Sequence, residues 1–410
     1  MFQDKVCVVI GASHAGVNLA FSLRKEGWKG KIILFDRDSN LPYHRPPLSK
    51  KYLELEDSIQ NNLLKPKESY SKENIELKLG VSVININTEK QNISLDDNSI
   101  QNYDKLVFAT GARTFIPPIK GIRQVKHVFT LRNANDVDGI RKALHKTNTK
   151  NVVIIGGGYI GLETAASLKK LGANVTVLER EQRILARVTT SYLSDFFHNL
   201  HKTNSVNIFT KKNVIEITDS KVICEDSSSY DADIIIVGVG IQVNTELAKQ
   251  VDLKIENGIC INKRTETSQE NIYAIGDCTY HYNIFYDRYV RLESIQNAVD
   301  QAKIAAKNIC EIDATYDSVP WFWSDQYDVK LQIVGLADGY DNKVIRIEGD
   351  KKFSIWYFKG EELLAVDSIN NAKSYVLGTK YIKTKVRIDK VALVNPESDL
   401  KSIVTINQDK

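Results

Sequence analysis

The chain has 410 residues, 42% of them hydrophobic and 26% charged, which suits a globular protein of two or three domains, each with its own core. A net charge of +4 is too small an excess to call for nucleic acid, and no apolar run reaches bilayer length. The five cysteines (Cys7, Cys224, Cys260, Cys278 and Cys310) form no C-x-x-C pair, which removes a local zinc knuckle and points to a reducing compartment. Asp4 and Lys5 lead directly into a strand without a signal-peptide pattern, so a cytoplasmic protein with no membrane partner is expected.

Residues 5–10 form an apolar strand that runs into GASHAG at 11–16. The spacing is that of a dinucleotide loop, with Gly11 for a tight turn and Gly16 for close contact of helix and strand. Ser13 replaces the middle glycine; its Cβ narrows the approach of a pyrophosphate, while its hydroxyl can bond a phosphate oxygen. His14 and Ala15 stand at the mouth of a helix over 15–25, and a loop side chain without chemistry is the plain reading of His14. The strand 31–35 ends at Asp36, where a carboxylate can grip a ribose 2′-hydroxyl. Residues 81–111 then read as a small meander followed by a buried strand ending in Ala109, Thr110 and Gly111.

The layout repeats from Asn151. Val152 to Ile155 form a buried strand, Gly156, Gly158 and Gly161 follow at G-x-G-x-x-G spacing, and Ala165, Leu168 and Leu171 mark the helix face. The strand 174–178 ends at Glu179, in the place of Asp36, and a second meander over 213–240 closes at Gly240. A period this long indicates duplicated domains rather than a solenoid. Residues 267–277 read as a further strand that follows the closing of the second unit. It is therefore expected to return to the first sheet, with Asp277 at a carboxyl strand end, where open α/β sheets bind ligands. A helix with Ile295, Ala298, Val299, Ala302, Ala305 and Ile309 on one face follows. Its N-terminus at Glu293, Ser294 and Ile295 carries roughly half a positive charge. From about Val319 come alternating strands at 330–334, 343–348, 352–358 and 363–369, then a short helix near 374–382. The expected fold is α/β. Two Rossmann-like domains, the second (113–240) inserted into the first (1–112 and 241–318), precede a C-terminal α+β domain (319–410).

Beyond the glycine loops, HRPPLSK (44–50), ATG (109–111), RILARVT (183–189), IGD (275–277), VRLES (290–294) and PWFWSDQ (320–326) resemble the FAD-containing, NADH-dependent ferredoxin reductases over nearly the whole chain. The resemblance implies a glutathione reductase-like fold, with FAD in the first unit and NADH in the second. FAD would meet the loop residues Gly11, Ser13, His14, Ala15 and Gly16, then Asp36 with Arg37, and Arg45 with Lys50. Farther along, Val83, Ala109, Thr110, Gly111, Arg132, Asp277, Glu293, Ser294, Ile295 and Trp323 complete that set. NAD would meet Gly156, Gly158, Tyr159, Ile160 and Gly161, together with Glu163, Glu179, Arg183 and Gly240. Lys50 would lie beside the flavin with Glu163 as its partner, and Trp323 would cover the ring where electrons leave. The plainer reading of Lys50 is a surface lysine after a proline turn. The chain departs from relatives at Ser13, at Val243 where proline is common, and at Arg37 where some carry an acid.

Related disulfide reductases carry a C-x-x-x-x-C pair where this chain has Pro46, Pro47 and Lys50 without cysteine, so electrons are expected to leave the flavin directly. Hydride transfer needs no nucleophile or metal. His198 and His201 share helical spacing but lack a third ligand, and a polar helix face is expected. Glu179 favours NADH over NADPH, since a carboxylate about 4 Å from a 2′-phosphate costs ~4 kcal/mol at an effective dielectric of 20; Arg180 and Arg183 offset part of this. Trp321 and Trp356 read as core. Residues 379–390 hold five basic residues and one acid. They form either a solvated face or a patch (Lys380, Lys383, Lys385 and Arg387) for a small acidic ferredoxin-type carrier that would serve a monooxygenase. Two other functions fit the same motifs: reduction of a quinone, radical or dioxygen, and a redox-sensing interaction protein similar to apoptosis-inducing factor. Monomer or weak homodimer is expected.

Overall fold

Runs of β-branched residues buried on both faces build the two parallel sheets. The computed structural model describes residues 2–55 and 58–405. The chain opens with β1 (Val6–Ile10), α1 (His14–Lys25), β2 (Lys31–Asp36) and β3 (Ile75–Leu79), and after a three-stranded meander over 83–102 comes β4 (Lys105–Phe108). It crosses through β5 (Ala112–Thr114) into β6 (Val128–Phe129), α2 (Ala134–Lys146), β7 (Asn151–Ile155), α3 (Tyr159–Lys170) and β8 (Asn174–Leu178). Next are α4 (Ser191–Thr203), β9 (Asn207–Phe209), a second meander over 214–231 and β10 (Ile234–Val237). β11 (Ile241–Val243) leads back, antiparallel to β5, towards β12 (Ile272–Ala274) and α5 (Ile295–Ile309). The chain ends with β13 (Trp321–Gln326), β14 (Val329–Gly335), β15 (Asn342–Gly349), β16 (Lys352–Lys359), β17 (Glu362–Ile369) and α6 (Ala372–Thr384), followed by short elements.

The first sheet runs β12-β4-β1-β2-β3 and the second β9-β8-β7-β10-β6, every neighbouring pair parallel. The return strand thus joins the first sheet as expected, but it is three residues long, and Gly276 to Cys278 make a 3-10 turn beyond it. The two sheets differ at one edge. Beyond β4 stands a strand from downstream, whereas beyond β10 stands β6, from upstream.

The C-terminal sheet, β13-β14-β17-β16-β15, is antiparallel. Its alternation explains why β16 and β17 are buried nearly end to end. Trp356, Phe358 and Val366 face α6 at Leu377 and Tyr381. Phe353, Ile355 and Tyr357 face Leu162, Leu193 and Phe197 of the second unit. The segment around Tyr43, Leu48, Tyr52 and Leu53 crosses the other way and packs into the core under α2 and α3. These two crossings bring three parts of the chain together at one point.

Candidate functional site

The two glycine loops superpose in their local chemistry. Gly11 and Gly156 have φ of +111° and +110°, and a Cβ on either would strike a backbone oxygen, of Ala109 or Gly238. Side chains at Gly16 and Gly161 would run into the carbonyl oxygens of Gly11 and Gly156. The middle positions are free of such limits: Ser13 and Gly158 are both extended, and beyond its two chain neighbours no atom lies within 4 Å of a Cβ built on Gly158. Serine in the first loop therefore crowds nothing in the protein, and Arg45 Nε donates to its hydroxyl at 3.3 Å.

Each loop is held by the acid at the end of the next strand. Asp36 accepts from the Ala12 N–H at 2.7 Å and the Asp38 N–H at 2.9 Å. Glu179 accepts from the Gly157 N–H at 2.7 Å and the Glu181 N–H at 2.8 Å. Both carboxylates keep lone pairs toward the cavity, where a ribose hydroxyl would donate.

That cavity, about 1010 Å³, is continuous between the two loops. On the first side its wall includes Gly11, Ser13, His14, Ala15, Asp36, Arg37, Arg45 and Val83. Ala109, Thr110, Gly111, Arg132, Asp277, Glu293, Ser294 and Ile295 continue it. On the second side stand Gly158, Tyr159, Ile160, Gly161, Glu163, Glu179 and Gly240. Gly16 and Gly156 support the turns from behind and are not part of the wall. Ser294 caps α5 by accepting from Asn297 N–H at 3.1 Å, so the positive end of that helix faces the cavity. Arg132 donates to the Ala112 carbonyl at 3.0 Å and lies 3.4 Å from the Asp277 carboxylate. His14 is buried against His44, and burial followed by the His44 charge pushes its imidazole down to about 3, so it is neutral.

Lys50 and Glu163 meet between the loops, Nζ to Oε2 at 2.7 Å. The proline turn from Pro46 to Ser49 does not leave Lys50 on the surface; its side chain is 18% exposed and that of Glu163 only 1%. Glu163 also accepts from Ser49 Oγ at 2.6 Å and Ser324 Oγ at 2.7 Å. The motif reading missed both serines, which are far from Glu163 in the chain. Trp323 lines the cavity and lies tilted against Trp321 at 5.5 Å, and Trp321 meets Tyr375 of α6 edge-to-face at 6.1 Å. Tyr159 packs on Phe322 at 5.1 Å, its hydroxyl buried without a partner and pushed well up by burial. Trp356 is core, as expected.

Other expected residues lie elsewhere. Arg183 turns away, donating to Ser194 Oγ at 2.6 Å and the Ala186 carbonyl at 2.9 Å, while Arg187 lines the cavity in its stead. The sequence could not separate these two arginines of one loop. His201 is no polar surface residue: it is fully buried, 2.8 Å from Gln326. Lys380, Lys383, Lys385 and Arg387 are exposed on and after α6, and Arg387 pairs with Glu361 at 3.1 Å.

The residues present fit a dinucleotide in each half: a loop whose middle position is uncrowded, an acid with free lone pairs, and a helix N-terminus facing the space. Among the described residues no cysteine lines the cavity, and no helix is long and apolar enough to cross a membrane.

Residues 5–302 match the pyridine nucleotide-disulphide oxidoreductase family and residues 321–404 the reductase C-terminal family. Putidaredoxin reductase of Pseudomonas putida is 37% identical over 97% of this chain and 96% of that protein. Rhodocoxin reductase of Rhodococcus erythropolis is 36% identical over 98% of this chain and 95% of that one. The crystal structure of the covalent putidaredoxin reductase–putidaredoxin complex matches with a TM-score of 0.93 at 36% identity, covering 97% of this chain and 98% of that one.

Proposed function

The chain belongs to the pyridine nucleotide-disulphide oxidoreductase family, and from that premise we propose that it is an NADH-dependent flavoprotein reductase that delivers electrons to a ferredoxin-type protein. The observation that carries this is the single cavity walled by both glycine loops, with Lys50 and Glu163 at their junction and no cysteine in its described wall. FAD, when bound, would accept one hydride, an electron pair, from NADH and release the two electrons one at a time, which no side chain offers.

The protein binds, orients and shields. The first loop, Asp36 and Arg132 hold one nucleotide; the second loop and Glu179 hold the other. The N-terminus of α5 favours negative charge in the cavity by up to ~2 kcal/mol when partly buried. Lys50 brings a fixed cation to the same space, and Trp323 closes the cavity toward the outside. Without a thiol pair in the wall, electrons leave past the aromatic side chains, and a carrier docks near Trp321 and Trp323. We assign Lys380, Lys383, Lys385 and Arg387 to that docking face because α6 joins the tryptophans through Tyr375. An acidic iron–sulfur protein that serves a monooxygenase fits such a face. A monomer or weak homodimer in the cytoplasm completes the reading.

Purified protein should be yellow, and anaerobic NADH should bleach it. A panel of ferredoxin-type carriers should then oxidise it in stopped flow, with strong salt dependence. Protein that takes up no FAD, or a flavin that NADH does not bleach, overturns the proposal. Reversing the four basic residues should raise KM for the carrier and spare ferricyanide reduction; equal loss with both acceptors moves docking elsewhere.

A further inference from the structure

Glu163 is almost completely buried, yet its carboxylate has three donors. Ser49 and Lys50 share Oε2, and Ser324 alone takes Oε1. Ser324 is itself bonded, accepting from Gln326 Nε2 at 3.2 Å, and Gln326 Oε1 lies 2.8 Å from His201 Nε2. Ser324, Gln326 and His201 are each 0% exposed. Chemistry fixes the direction of this chain. A carboxylate only accepts, so Ser324 donates to it; the hydroxyl oxygen is then free to accept from the Gln326 amide N–H; the amide oxygen must accept from the His201 Nε2–H. His201 is therefore the Nε2–H tautomer, neutral, with Nδ1 buried and unpartnered. Burial holds its imidazole down at about 4, which agrees. Every donor points one way, toward the carboxylate, and aligned hydrogen bonds strengthen one another in a low dielectric.

We propose that Ser324 and Gln326, on the strand that carries Trp323, are positioning residues that hold the Glu163 carboxylate and through it the Lys50 ammonium, with His201 as the buried anchor. On β13 the side chains alternate, so Trp321 and Trp323 share one face and Ser324 and Gln326 the other. One strand of the C-terminal domain thus sets both the aromatic outlet and the charged pair inside the cavity. The Lys50–Glu163 pair joins the first unit to the second, and the serine ties both to the third.

The proposal rests on the reading of Lys50 and Glu163 as the charged pair beside the flavin, and the experiment separates the two. With holoenzyme and anaerobic stopped flow, Lys50→Met and Ser324→Ala should each slow flavin reduction by NADH about tenfold, the scale of a small misplacement of a reacting group. In a Lys50→Met background, Ser324→Ala should cost no more than about twofold further, because coupled residues are not additive. Ser324→Thr, which keeps the hydroxyl, should restore the rate. Gln326→Met should give a smaller loss of the same kind and stands in if the alanine variant does not fold. The flavin midpoint potential should shift upward in Ser324→Ala and stay near the parent value in Ser324→Thr, since a Glu163 carboxylate held less closely to Lys50 leaves that ammonium less compensated near the ring. In protein labelled with ¹⁵N histidine, His201 should show the Nε2–H tautomer. If Lys50→Met leaves reduction untouched, the reading of the pair falls and the proposal with it. If Lys50→Met slows it while Ser324→Ala does not, if the two losses multiply independently, or if His201 carries its proton on Nδ1, the proposal alone is overturned.

Discussion

Where the first loop has Ser13, His14, Ala15 and Asn18, the second has Gly158, Tyr159, Ile160 and Glu163, on backbones that repeat in turn, helix start and acid contact. The surroundings differ more than the loops. Ala15 is 8% exposed and lies under Gly276, on the turn that follows β12, whereas Ile160 is 46% exposed. The cause is topological. The first sheet receives a downstream strand whose turn, with α5, roofs its loop; the second takes its edge strand from upstream and is met only from the side by β13, where Phe322 packs on Tyr159 and leaves Ile160 exposed. A roofed loop suits a nucleotide that stays and an open one suits a nucleotide that exchanges, and the lesson is that the return of the chain separates two otherwise similar sites.

The strongest way to break this comparison is at the third glycines. Gly16→Ala should yield protein without flavin, while Gly161→Ala should stay yellow and lose about a hundredfold or more in kcat/KM for NADH, since each Cβ meets a backbone oxygen. Identical phenotypes, read by absorbance and steady-state kinetics, would erase the distinction between the halves. Next come the acids. Glu179→Arg should raise the NADPH/NADH ratio of kcat/KM about a hundredfold, whereas Asp36→Arg should lower flavin content and leave the ratio alone.

His14 sharpens the contrast with Tyr159 through pH. Its ordinary value is 6.5 and the folded protein holds it at about 3. Between those values the unfolded chain binds the extra proton, so stability is lost as pH falls below 6.5. His14→Asn should therefore lack an acid-side slope of about 1.4 kcal/mol per pH unit that the parent shows in denaturant unfolding. An unchanged slope would mean that His14 is not buried neutral. The smallest effect is expected at the middle position: Ser13→Gly should change stability by less than about 0.5 kcal/mol, because the same place in the second loop is uncrowded.

Much of this is legible in the sequence. The glycine loops, the acids after the second strands, both meanders and the C-terminal strands β14 to β17 follow from local spacing, and the motif strings mark Lys50, Asp277 and Trp323, whereas β13 is not among the expected strands. Other features left no local sign. Ser49 and Ser324 reach Glu163 across 114 and 161 residues, Gln326 was read only as the end of a motif, and His201 looked like surface on a helix whose covering sheet lies more than a hundred residues downstream. Arg183 carried the expected NAD contact, whereas Arg187, four residues on in the same irregular loop and given no role by the sequence, is the one that lines the cavity.

By itself the sequence determined the duplicated units, their turns and the identity of the charged groups, because strand alternation, helical periodicity and glycine conformation act within a few residues. Only the tertiary structure decided which loop is roofed, how deeply Lys50 and Glu163 are buried, and which strand holds them. Those outcomes depend on segments that meet across more than a hundred residues, and no short-range rule carries that information.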